Sequence, residues 1–125
     1  MKKTCFFSIL FASVLLISSC NDSSGSTIIS AIKYEVTGTI PYVDIDYHNF
    51  TGETDSFKNV PLPWEKSFSV AINHSDFFST YLYVRNFSTS GSFSANIYVN
   101  DVLVKTSTIS GSYPSSSLNY VIWNY

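Results

Sequence analysis

From Ile32 onward the chain alternates apolar and polar side chains with a period of two, and this pattern constrains the fold more than any other feature. Ile32, Tyr34 and Val36 alternate with Lys33, Glu35 and Thr37; Val43, Ile45 and Tyr47 with Asp44, Asp46 and His48; Phe93, Ala95, Ile97 and Val99 with Ser94, Asn96, Tyr98 and Asn100. Successive side chains of an extended strand point to opposite faces, so each run places one face in a core and the other toward water. No stretch after residue 30 has the three-to-four spacing of an amphipathic helix. The domain is expected to be all-β.

Turn signals divide the alternating runs. Asn49-Phe50-Thr51-Gly52, Ser90-Gly91 and Ser110-Gly111 close segments, and Asn100-Asp101 between two alternating runs predicts a tight hairpin whose polar residues tolerate positive φ. Pro61 and Pro63 cannot donate ladder bonds, so Val60-Pro61-Leu62-Pro63 should cross between sheets or run along an edge. Strands are expected near 31–39, 41–48, 56–60, 64–72, 78–86, 92–99, 102–109 and 118–124. Seven or eight short strands at this spacing predict an antiparallel β-sandwich with an immunoglobulin-like layout.

The N-terminus predicts the cellular address. Lys2 and Lys3 precede an apolar run from Phe6 to Ile17, broken only by Ser8 and Ser13. The run is shorter than the ~20 apolar residues a membrane span needs and fits the core of a secretory signal. It ends in Leu16-Ile17-Ser18-Ser19-Cys20, which resembles the bacterial lipobox, where the cysteine thiol takes a diacylglycerol. Residues 1–19 are thus expected to be a cleaved lipoprotein signal, 20–30 a lipidated Cys20 and Ser-rich tether, and 31–125 the β-sandwich. Cys5 leaves with the signal, so no internal disulfide is expected. The mature chain sets Lys33, Lys58, Lys66, Arg85 and Lys105 against nine acids, a net charge of −4 that argues against nucleic acid and against electrostatic attachment to anionic lipid. Asn21 follows the cysteine in place of the aspartate that retains many enterobacterial lipoproteins in the inner membrane. In a Gram-negative envelope, an outer-membrane address is therefore expected over an inner one.

Three stretches together resemble the MmpS family of small mycobacterial membrane proteins. They are Tyr34-Glu35-Val36-Thr37-Gly38-Thr39, Val60-Pro61-Leu62-Pro63-Trp64-Glu65-Lys66-Ser67-Phe68, and the hairpin from Ile97 to Val104 followed by Ser110-Gly111-Ser112-Tyr113. The resemblance implies an immunoglobulin-like sandwich outside the cytoplasmic membrane and an accessory role beside a large envelope transporter. Those relatives carry a transmembrane helix where this chain has a lipid signal. They also carry a late cysteine pair, where this chain has Ala95 and a cysteine-free run from Leu118 to Tyr125.

Chemistry-bearing residues are sparse. Asp44, Asp46 and His48 share one strand face about 7 Å apart, a spacing compatible with a divalent ion but more simply read as a solvated outer face. His74 falls in a loop-like stretch, neither histidine stands beside a base–orienter pair, and no phosphate-binding glycine loop is present. Neither enzymatic activity nor a metal or cofactor is expected. The remaining oddity is an aromatic content of 17%. Tyr81, Tyr83 and Arg85 share a face opposite Leu82 and Val84, and a tyrosine–arginine stripe suits protein or carbohydrate contacts. Trp64 shares parity with Phe68 and Val70 and is expected in the core. The sequence therefore points to an envelope-anchored, non-catalytic binding domain. Its membrane contact is through the lipid at Cys20, and its partner is either an envelope transporter, as accessory subunit, or a glycan or host surface.

Overall fold

A computed structural model describes residues 25–87 and 89–125. The expected signal sequence, Cys20 and most of the tether lie outside these residues. Among the described residues the only regular elements are eight strands: β1 Ile28–Gly38, β2 Tyr42–His48, β3 Thr54–Pro61, β4 Trp64–Ile72, β5 Asp76–Arg85, β6 Ser90–Val99, β7 Val102–Ser112 and β8 Ser115–Asn124. All pair antiparallel, in two four-stranded sheets of order β4-β1-β6-β7 and β3-β2-β5-β8. No helix among them is long and apolar enough to cross a membrane. The expected all-β sandwich is the observed fold, and each of the eight expected strands is present.

The alternation read from the sequence is the alternation of burial. Ile32, Tyr34, Val36, Val43, Ile45, Tyr47, Leu82, Val84, Phe93, Ala95 and Ile97 are buried between the sheets, while their neighbours in sequence face outward. The two-residue turn Asn100-Asp101 has positive φ at both positions, 50° and 64°, as its polar side chains allow. The Val60–Pro63 segment carries the chain from edge strand β3 of one sheet to edge strand β4 of the other, where missing N–H donors cost no ladder bonds. β1 begins at Ile28, not Ala31. Ile28, Ile29 and Ser30 pair with Ile72, Ala71 and Val70, and Ser30 is buried, so the tether is three residues shorter than expected.

Much of the aromatic content joins the two sheets. The Tyr34 ring lies 5.6 Å from Tyr47 and 5.7 Å from Phe68, Tyr47 lies 5.6 Å from Trp64, and Phe68 lies 6.4 Å from Phe78. Trp64 is half-buried against the core, as its parity suggested. Tyr34 also performs a backbone function. The β2–β5 ladder ends at Tyr47 and Leu82. One residue further on, the Tyr34 hydroxyl donates to the His48 carbonyl at 3.0 Å and accepts from the Tyr81 N–H at 3.4 Å. A side chain of one sheet thus takes the place of the next ladder bond in the other.

The two ends of the sandwich differ. At one end stand the tether at Ser26, the β2–β3, β4–β5 and β6–β7 turns and the end of β8; Asn124 Nδ2 donates to the Ser26 and Ile72 carbonyls at 2.6 and 2.9 Å. At the other stand the β1–β2, β3–β4, β5–β6 and β7–β8 connections. The ten residues of β5 separate the ends by about 30 Å.

Candidate binding face

Tyr81, Tyr83 and Arg85 do share the outer face of β5, with Leu82 and Val84 buried beneath them. The three are half-buried, because β5 lies inside its sheet between β2 and β8. Register places Arg85 beside Asp44 and Ser115, Tyr83 beside Asp46 and Ser117, and Tyr81 beside Asn119. The exposed small side chains Ser115, Ser117 and Asn119 leave the tyrosine–arginine row accessible along its β8 side.

The structure divides this row. Tyr81 packs against His48 with ring centres 5.2 Å apart and planes tilted by 42°, and His48 Nδ1 lies 2.9 Å from the Ser79 carbonyl. Both rings are therefore engaged locally. Tyr83 and Arg85 belong to the tether-distal end. The Arg85 guanidinium lies 5.3 Å from the Tyr83 ring and 5.3 Å from the Phe87 ring, held by cation–π attraction on both sides. Its Nε is 3.7 Å from Asp44 Oδ2 and its Nη1 3.8 Å from Asp46 Oδ2. These are ion-pair distances but too long for hydrogen bonds. The guanidinium is held by charge and ring contact; its Nε is buried without a hydrogen-bond partner among the described residues, and the side chain as a whole is 23% exposed.

Asp44 owes its position to a β-bulge. Val43 pairs with Val60 and Ile45 with Phe57, so Lys58 and Asn59 together oppose Asp44. Asn59 takes the left-handed conformation, φ 52°, and its N–H donates to Asp44 Oδ1 at 3.0 Å, while Lys58 Nζ donates to Oδ2 at 3.1 Å. Partial burial pushes the Asp44 carboxyl up, but the Asn59 N–H, Lys58 and Arg85 outweigh it and hold the group below the usual aspartate value of 3.8. A carboxylate with a depressed folded-state value contributes stability above its unfolded value and loses it as pH falls toward the folded one. Urea midpoints of the wild type are therefore expected to fall more steeply below about pH 4 than those of Asp44→Asn. Parallel curves would remove the carboxylate's role at the bulge.

Together these residues line an open cleft of about 370 Å³ bounded by Tyr42, Val43, Asp44, Lys58, Asn59, Arg85, Asn86 and Phe87. One wall is fixed by buried Asn86: its Nδ2 donates to the Tyr42 carbonyl at 2.6 Å, its Oδ1 accepts from the Thr89 N–H at 2.8 Å, and its own N–H donates to the Pro114 carbonyl at 3.0 Å. Three connections are thereby tied together. Tyr42 and Phe87 remain 54% and 66% exposed at the rim. Phe87 extends the Tyr81, Tyr83, Arg85 parity by one step, a signal present in the sequence. The Lys58-Asn59 bulge has no such signal.

Asp44, Asp46 and His48 share an outer face, as their spacing required, but each is committed to a protein neighbour: Asp44 to Lys58 and Asn59, Asp46 to Arg85, His48 to Ser79. No cluster of three or more potential metal ligands occurs among the described residues. No protein-family model matches the chain, and no curated protein matches it either.

Proposed function

We propose that this chain is an envelope-anchored lipoprotein whose β-sandwich binds another macromolecule without catalysis, through the cleft at its tether-distal end. The arrangement of Arg85 between Tyr83 and Phe87, partly exposed on the wall of an open cleft, carries the reading. Aromatic and arginine side chains concentrate binding energy at interfaces, and the end far from the anchor is the end that reaches other components. The lipobox-like Leu16–Cys20 supports the anchor, with the outer membrane favoured over the inner in a Gram-negative cell. The MmpS-like segments support an immunoglobulin-like layout and an accessory role beside an envelope transporter.

A second reading, glycan recognition, is favoured by one observation. The cleft balances Lys58 and Arg85 against Asp44 and nearby Asp46 and is rimmed by aromatic rings, which suits a neutral, hydroxyl-rich ligand. One experiment tests both. A photoreactive p-benzoylphenylalanine in place of Tyr42, in living cells, is expected to give one dominant adduct, and sensitivity of that adduct to protease or to glycosidase decides between protein and glycan. The intact mass of the same protein is expected to carry a diacylglycerol at Cys20. An unmodified N-terminus elsewhere would defeat the anchor, and the absence of any adduct would defeat the cleft.

A further inference from the structure

The tether end has its own surface. Of the eleven large apolar side chains that stand exposed among the described residues, seven ring this end: Ile29, Phe50, Phe77, Val102, Leu103, Trp123 and Tyr125. Three form a continuous aromatic group: Phe77 and Trp123 have ring centres 4.9 Å apart, and Trp123 and Tyr125 stack at 6.0 Å with an interplanar angle of 18°. They are 52%, 50% and 90% exposed, respectively. The register of β5 and β8 fixes the group, because Phe77 pairs with Trp123 on the outer face.

The chain that leaves this end identifies what covers it. Asn124, between Trp123 and Tyr125, binds the Ser26 carbonyl, so the tether departs beside the aromatic group. From Ser26 to Cys20 is six residues, which fully extended reach about 20 Å. A lipid at Cys20 would therefore hold Phe77, Trp123 and Tyr125 within reach of the bilayer surface. Tryptophan and tyrosine favour the boundary between headgroups and acyl chains, where the ring is apolar and its N–H or O–H remains wet. The turns at this end carry Glu53, Asp76 and Asp101 but no lysine or arginine, which suits a zwitterionic surface rather than an anionic one.

We infer that the Phe77–Trp123–Tyr125 group seats the tether end of the sandwich in the headgroup region of the membrane, so that the domain stands upright with its cleft about 30 Å outward. This rests on the proposed lipidation of Cys20. The seat is shallow, because polar Ser26, Asn73 and His74 share the end with the aromatic rings.

The two tryptophans make a direct test possible, since Trp64 opens β4 at the opposite end, paired with Val36. Full-length protein purified from membranes would be reconstituted in phosphatidylcholine vesicles containing a lipid with a nitroxide at acyl carbon 5. In Trp64→Phe, where Trp123 is the reporter, quenching is expected to exceed that in Trp123→Phe by about threefold or more, and to decline with a nitroxide deeper in the chain, as for a group seated about 5–10 Å into the boundary. If Trp64→Phe folds poorly, the difference between wild type and Trp123→Phe gives the same quantity. Intact mass reports the lipid separately. A lipidated protein with equal quenching at both positions overturns this inference alone, and so does Trp123 emission that follows the protein-to-lipid ratio, which would assign the group to a second copy of the chain. A chain without lipid at Cys20 overturns the anchor and the seat together.

Discussion

Replacing Tyr34 with Phe is expected to lower the unfolding free energy by about 1–3 kcal/mol, and replacing it with Ala by about 3–5 kcal/mol. The first figure follows from the hydroxyl alone. Tyr34 is fully buried, and its oxygen satisfies the His48 carbonyl and the Tyr81 N–H where β2 and β5 have ceased to pair. Phe would keep the ring contacts with Tyr47 and Phe68 and leave both backbone groups without that partner. The larger loss in the Ala variant adds a cavity between the sheets. Chemical denaturation separates the two, and pH provides a further check. Burial pushes the Tyr34 phenol well above its ordinary value of 10.0, with only a partial opposing effect from the Tyr81 N–H. The phenol's contribution is thus fully present below about pH 10 and is lost as pH rises beyond it. The wild type should lose more stability than Tyr34→Phe in strong alkali. Equal stability of wild type and Tyr34→Phe at neutral pH would mean that the His48–Tyr81 junction closes without the hydroxyl.

That junction also marks where the sequence stops being informative. The parity of Tyr34 announced a buried side chain, and nothing in residues 34–39 announced that its hydroxyl would meet residues 48 and 81, because such a contact depends on how the two sheets face one another. Strand existence was legible wherever apolar and polar residues alternate. Strand ends were less so: β8 begins at Ser115, three residues before its expected start, because Ser115, Ser116 and Ser117 alternate exposed, buried, exposed with no change of residue type. Pairing partners were not legible beyond hairpins, and the placement of the β6–β7 hairpin beside β1 is a long-range choice that no local pattern encodes. The same limits apply to the binding face. The outward parity of Tyr81, Tyr83 and Arg85 could be read directly. The division of the row, with Tyr81 held by His48 and Arg85 opening onto a cleft, required β2, β3 and the Lys58-Asn59 bulge to be in place.

The division leads to the prediction with the largest functional effect. The double variant Arg85→Ala, Phe87→Ala is expected to weaken partner binding by about thirtyfold or more, equivalent to roughly 2 kcal/mol or more, while shifting the melting temperature by only a few degrees. Phe87 is largely exposed and contributes little to the core, and Asp44 keeps its Lys58 and Asn59 contacts when the guanidinium is removed. Tyr81→Ala alone should affect binding far less, because that ring lies against His48 and does not line the cleft. The informative control is Arg85→Lys. An ammonium would still balance Asp44 and Asp46, so stability should be retained, but it lacks the planar fork that lies between Tyr83 and Phe87. If the cleft recognises its partner through that fork, Arg85→Lys should lose most of the Tyr42-directed photo-adduct while melting like the wild type. Retention of the adduct in Arg85→Lys would reduce the residue to a point charge. Retention in the double variant as well would move the binding surface away from this end of the sandwich.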